Sequence, residues 1–138
     1  MNLEKRYALF LTALYLTMGI IGILNHELWL DEAHHWLLAR DSNTFTELVT
    51  QTRYEGHPIL WNVLLYGLTR VSWNPLAMQL LHLAVATGAV FLFARKAPFT
   101  WLFKFLFVFG YFMVFEYALV SRNYILGILF LFFGVCRF

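Results

Sequence analysis

The chain has 138 residues, 61% of them hydrophobic and only 13% charged, with a mean hydropathy of +0.65. Soluble domains run close to half apolar and about a quarter charged, so this composition excludes an ordinary soluble globule and points to a helical membrane protein. The formal charge of +2 comes without a polybasic arm, which argues against a nucleic-acid partner, and the single cysteine, Cys136, excludes an internal disulfide and a cysteine-rich zinc site.

The first apolar run, Tyr7 to Leu24, follows Lys5 and Arg6. A cleaved signal peptide would have a shorter apolar core and a small-residue cleavage site. This run ends in Leu24-Asn25-His26-Glu27 and reads as an uncleaved first span, 7–24, with the N-terminus cytoplasmic. Residues 25–74 then form an extracytoplasmic loop holding six of the eight acidic residues, from Glu27 to Glu55. Two short helices are expected in it, one capped by Asp31 and covering Glu32 to Ala39, the other opened by a Thr44-x-x-Glu47 capping box. Gly56-His57-Pro58 breaks the chain.

Ile59 to Trp73 is apolar but only about 22 Å long as a helix, short of a ~30 Å hydrocarbon core. Asn62, Tyr66, Thr69 and Arg70 share one helical face, and Ile59, Leu60, Val63, Leu64 and Leu68 the other. That pattern predicts an interfacial helix. Asn74-Pro75 starts a second span over 75–94, Ala97-Pro98 opens a third over 98–115, residues 116–123 form a second external loop, and 124–138 begin a fourth span. With residues 59–73 on the surface, Arg95, Lys96 and Arg137 fall on the cytoplasmic side, Lys104 can snorkel there, and Glu116 and Arg122 join the acidic loop outside. If 59–73 spans instead, these assignments invert. The expected fold is thus all-α and polytopic, with about four transmembrane helices plus juxtamembrane helices in the first external loop.

Three segments carry ionisable groups that could do chemistry. In Trp29-Leu-Asp31-Glu32-Ala-His34-His35-Trp36, Asp31 and His35 share a helix face, so a carboxylate and an imidazole could act as a base or hold a divalent cation. A helix cap and headgroup-facing histidines account for the same residues. The letters D-E-A-H also occur in a helicase box, but no phosphate-cradling loop precedes them. In Tyr54-Glu55-Gly56-His57-Pro58, His57 falls at the depth of a lipid phosphate, or is a plain loop histidine. In Glu116-Tyr117-Ala-Leu-Val-Ser121-Arg122-Asn123-Tyr124, a Glu and an Arg between apolar runs are functional candidates, or an ordinary loop bound to headgroups. Gln79 and His82, three residues apart in the second span, could face a cavity or make one interhelical hydrogen bond.

Taken in order, these segments resemble the glycosyltransferase C superfamily, which includes protein O-mannosyltransferases and aminoarabinose transferases. W-L-D-E-A-H-H-W looks like the family's acidic segment in the first external loop, Y-E-G-H-P-I-L-W its H-P-P-L-type motif, and S-R-N-Y its R-x-Y signature in the second loop. The resemblance covers nearly the whole chain. It implies transfer of a sugar from a polyprenyl-phosphate carrier in the bilayer to an external acceptor. By resemblance Asp31 is the base with Glu32 in support, and His57, Arg122 and Tyr124 meet the lipid phosphate. His35, Glu55 and Glu116 are further candidates, and a divalent cation would fall to Asp31, His35 and Glu116. Family members have two prolines where this chain has Pro58-Ile59, and a D-x-D that Glu116 does not reproduce. They also have many more spans, so the chain looks like an N-terminal portion, inactive alone. A small non-enzymatic membrane subunit and a transporter fragment are the competing expectations.

Overall fold

In a computed structural model, residues 2–135 are described; their regular secondary structure is all helical, and no strand occurs among them. Eight helical segments follow in order: α1 (Leu3–Ile23), α2 (Leu30–Asp41), α3 (Phe45–Thr52), α4 (Leu60–Thr69), α5 (Leu76–Lys96), α6 (Trp101–Val108), a π-helical segment π1 (Phe112–Leu119), and α7 (Tyr124–Val135). Cys136, Arg137 and the last residues of the expected fourth span lie outside the described residues.

Two helices, α1 and α5, are long and apolar enough to cross a membrane, each with 21 residues, or about 31 Å of rise. The Asn2 side chain caps α1 by accepting from the Lys5 N–H at 3.1 Å. Its inward face, Ala8, Leu11, Tyr15, Gly19 and Ile23, repeats every three to four residues and packs against α5 and π1. α1 and α5 run antiparallel: Glu4 pairs with Arg95 at one end (3.6 Å), and Gly19 meets Leu83 towards the other. At Gly19 and Gly22 an added Cβ would run into the Leu83 and Leu119 side chains, so the missing side chains set how closely α1 approaches its neighbours. Leu9, Phe10, Ile20, Leu102, Phe112 and Phe130 are among many large apolar side chains left on the outside of the bundle.

The expected helix over 98–115 is divided. α6 ends at Val108, the chain turns at Phe109–Gly110, and it resumes as π1. Two α1 hydroxyls follow it in parallel. Tyr7 donates to the Trp101 carbonyl and Tyr15 to that of Met113, each at 2.6 Å. Glu116, expected in the loop 116–123, therefore sits inside a helical segment, where the wider π turn advances more slowly along the axis. Lys104 does not snorkel free: it is buried, and its ammonium donates to the Ala94 carbonyl (2.9 Å), compensating an open carbonyl in the last turn of α5.

Helices α2, α3 and α4 form a small layer at the opposite end from Glu4–Arg95. Asp31 is not the cap of α2. The cap lies two residues earlier, at Trp29, whose N–H is met by the Glu32 carboxylate at 2.9 Å. Thr44 does cap α3 through the Glu47 N–H, but the Glu47 carboxylate reaches Asn43 rather than Thr44. α4 stops at Thr69, short of the expected Trp73, and turns its polar face inward. Asn62 and Thr69 are buried while Ile59, Leu60 and Leu64 are exposed. Arg70 then donates to the carbonyls of Ala39, Arg40 and Ser42, each at 3.0 Å, closing the C-terminus of α2.

The contact at Gly19 gives a direct test of the α1–α5 packing. Gly19→Val overpacks a closed interface against the buried Leu83, and is expected to destabilise the folded chain by about 1–3 kcal/mol, read as a lower thermal midpoint in detergent; an unchanged midpoint would contradict this packing.

Candidate functional site

The start of α2, the turn before α4 and the residues between π1 and α7 meet at one end of the bundle. They enclose a cavity of about 890 Å³. Six of the residues singled out in the sequence line it: Asp31, His35, Glu55, His57, Arg122 and Tyr124. Trp29, Leu30, His34 and Asn123 complete the lining. Glu32 and Glu116 do not line it.

Glu32 holds the two walls together from behind. It is fully buried. One carboxylate oxygen accepts from the Ser121 backbone N–H at 2.6 Å, across 89 residues of sequence; the other accepts from Trp29 N–H and contacts His26 Nε2, both at 2.9 Å. A carboxylate can accept several such bonds, and each is stronger than a neutral one. The carboxylate thus fixes the first turn of α2 against the segment carrying Arg122.

That register brings the Arg122 guanidinium onto Asp31, with Nε 2.5 Å from Oδ2. Glu116 Oε2 lies 3.8 Å from Nη1 on the other side, and the Tyr111 hydroxyl donates to the other oxygen of that carboxylate, Oε1, at 3.3 Å. The guanidinium also lies over the Trp29 ring, 5.2 Å from its centre, a favourable cation–aromatic arrangement. Trp29 packs edge-on to Phe115 of π1 (5.9 Å). The π turn thus supplies both a carboxylate and a ring to this corner.

The opposite wall is imidazole-rich. His35 is buried, and its Nδ1 lies 3.0 Å from Asn62 Oδ1. An amide oxygen can only accept, so Nδ1 carries the proton and Nε2 keeps its lone pair. His35 packs edge-on to His34 (5.6 Å) and His57 (5.7 Å). His34 Nε2 is 3.1 Å from Glu55 Oε1, and His57 Nδ1 donates to the Glu55 carbonyl at 2.6 Å. Between them Gly56 has φ +68°, the left-handed conformation that folds the loop back on itself. Burial, above all, holds the His35 imidazole below its ordinary pKa; the Asn62 bond and Glu55 oppose this, and His34 and His57 add to it. Asp31, His35 and Glu116 do not gather into a cation site. Among the described residues no three His, Cys, Asp or Glu side chains converge as metal ligands.

A second, apolar groove of about 550 Å³ adjoins the cavity and shares Asn123 and Tyr124 with it. It runs between α4 and α7, with Leu60, Trp61, Ile128 and Leu131 among its walls. Gln79 and His82 stay apart from both openings. Gln79 donates to the His26 carbonyl (3.4 Å), and His82 is fully buried edge-on to Trp61 (5.7 Å). Sequence reading missed Trp29, His26 and Asn62. Of these, Asn62 alone had a signal, a polar residue within an apolar helix. Against known proteins, no family model matches the chain, and no curated protein and no solved structure matches it either.

The depressed His35 pKa has a signed consequence. Below about pH 6.5 the unfolded chain takes up a proton at this position that the folded chain resists. His35 therefore favours folding most above that pH, and its contribution declines as the pH falls. The thermal midpoint is expected to drop from about pH 7 to about pH 5, with a smaller drop in His35→Gln; equal slopes in the two proteins would contradict a buried, neutral imidazole.

Proposed function

We propose that the chain is part of a membrane glycosyltransferase of the glycosyltransferase C type, which moves a sugar from a polyprenyl-phosphate carrier to an acceptor outside the cytoplasm. The observation that carries this reading is the joint cavity and groove. A chamber with a guanidinium and a carboxylate in contact adjoins an apolar groove between two helices. An amphipathic donor has those two halves, an anionic head and a hydrocarbon tail.

The bilayer setting rests on α1 and α5 and on the belt of exposed apolar side chains. On this reading α6–π1 and α7 complete the passes, and the exposed Ile59, Leu60 and Leu64 of α4 meet the headgroup region. Lys5, Arg6, Arg95, Lys96 and Lys104 gather at the end marked by the Glu4–Arg95 pair, while Asp31, Glu55 and Glu116 lie at the other. That asymmetry favours a cytoplasmic N-terminus and an external cavity. A midplane transport path is less favoured, because the carboxylates sit at a helix-bundle end.

The chemistry is a displacement at the anomeric carbon. The acceptor hydroxyl gives its proton to the Asp31 carboxylate as its oxygen bonds to that carbon. The carbon–oxygen bond to the phosphate breaks, and its electron pair leaves with the lipid phosphate. Arg122 stabilises that charge, which a guanidinium can grip through two parallel N–H bonds. His57 and Tyr124 border the same space, and Glu116 holds Arg122 from behind.

The test is transfer of sugar in membranes containing the full-length protein, supplied with a polyprenyl-phosphate sugar and scored by the glycans formed. Asp31→Asn is expected to lower transfer by roughly 10²–10⁴-fold, and Arg122→Gln by about 10²–10³-fold. Wild-type glycans from Asp31→Asn would remove the carboxylate from the mechanism.

A further inference from the structure

Charge is balanced differently at the two ends of the bundle. Lys5, Arg6, Arg95, Lys96 and Lys104 gather at the end marked by the Glu4–Arg95 pair. Among the described residues Glu4 is the one acidic side chain there; six others fall between Glu27 and Glu55, and the last is Glu116 of π1. At the far end most arginines are met within the chain: Arg40 by Asp41, Arg122 by Asp31 and Glu116, Arg70 by backbone carbonyls. At the basic end they are not. Lys5, Arg6 and Lys96 are exposed and pair with no acidic group among the described residues. Arg95 has Glu4 alone, at 3.6 Å, and that carboxylate is itself largely exposed. The buried Lys104 ammonium and the N-terminal end of the α1 dipole add positive potential from beneath.

Apolar and aromatic surface lies directly beside these cations. Tyr7 of α1 stacks on Trp101 of α6, with ring centres 5.4 Å apart, and its hydroxyl donates to the Trp101 carbonyl. Phe99, Trp101 and Leu102, just past the end of α5, are exposed. Tyr and Trp favour the headgroup level of a bilayer, and long basic side chains reach from that level into the headgroups. An acidic protein surface would answer the charges but leave the rings uncovered. A zwitterionic phospholipid would cover the rings but bring no net charge. An anionic phospholipid does both, with a net negative headgroup and acyl chains on one molecule.

We infer that the end formed by Lys5, Arg6, Arg95 and Lys96 is a binding surface for anionic phospholipid, and that this contact fixes the depth of the bundle in the bilayer. Clusters of basic side chains at the end of a membrane helix bind anionic headgroups because each contributes to the attraction. Here two antiparallel helices bring their basic ends together, α1 by its N-terminus and α5 by its C-terminus. Each has 21 residues, about 31 Å of rise, which matches a ~30 Å hydrocarbon core. With the basic end seated at one headgroup layer, the cavity at the other end reaches the opposite layer. Orientation during insertion needs only the sign of the charge; the lipid contact persists in the folded bundle, where these cations have no internal partner.

Trp101 is a natural reporter, because Trp29, Trp36, Trp61 and Trp73 all lie at the far end. The whole chain in nonionic detergent micelles is titrated with phosphatidylglycerol or phosphatidylcholine, each brominated on the acyl chain near the headgroup. Quenching of Trp101 is taken as the difference between the wild type and Trp101→Phe. It is expected to reach half at roughly fivefold less phosphatidylglycerol than phosphatidylcholine, and the preference to vanish in about 1 M salt. Lys5→Gln, Arg6→Gln and Lys96→Gln combined alter exposed side chains alone, and are expected to bring the two lipids within about twofold; Arg40→Gln at the far end is expected to leave the preference intact. Glycerophosphoglycerol, the headgroup without chains, is expected not to displace the lipid. Equal quenching by the two lipids in the wild type, or a preference that survives the triple variant, would overturn the inference. Full displacement by glycerophosphoglycerol would make the occupant a soluble anion and overturn it too. The transferase reading is untouched by each of these results, since none involves the cavity.

Discussion

A buried carboxylate, that of Glu32, organises everything at the acidic end of this molecule. Taking a charged group out of water is costly unless its lone pairs are met, and here they are met by the Trp29 and Ser121 N–H groups and by His26. Two of these partners lie beside it in sequence; Ser121 arrives from the far side of α5, α6 and π1. The register between α2 and the loop before α7 is therefore set by one side chain. The Asp31–Arg122 contact follows directly, because Asp31 precedes Glu32 and Arg122 follows Ser121.

The remaining elements hold that clamp at the end of a scaffold. α1 approaches α5 closely at Gly19 and π1 at Gly22, and the Tyr7 and Tyr15 hydroxyls fasten α6 and π1 alongside α1. The π turn carries Glu116 and Phe115 to the guanidinium corner. Irregular helical turns are found disproportionately where a site needs a side chain re-aimed, and this one ends two residues before the Ser121–Arg122 pair. On the other wall Arg70, just past the end of α4, closes α2, and Asn62 of α4 orients His35, so both act on the site through α2.

Much of this was legible in the residues because charge is scarce in the chain. Ionisable groups are concentrated in the acidic loop and at Arg122, so Asp31, His35, Glu55, His57 and Arg122 stood out, and the cavity gathers them. Helix ends were less legible. Asp31 looked like a cap because it is the usual residue for one, but Glu32 reaches back to Trp29 N–H and starts the helix earlier. The break at Phe109–Gly110 had only a single glycine to announce it, amid uniformly apolar sequence that gives no periodic signal. The face of α4 was read correctly as amphipathic, but its polar side turned to α2 rather than to water, since Asn62 and Thr69 find partners there. Long-range pairs such as Glu32 with Ser121 have no sequence signature at all.

The site exists only because the S-R-N-Y segment lies against the D-E segment, held there by Glu32. Cysteines placed at Asp31 and Arg122, with Cys136 replaced by Ser, test it by cross-linking with a short bifunctional reagent in native membranes. The expected result is efficient cross-linking when Glu32 is present and a marked loss when Glu32→Ala is added. No cross-link in either background would put the two segments apart and contradict the site; equal cross-linking in both would contradict the role given to Glu32.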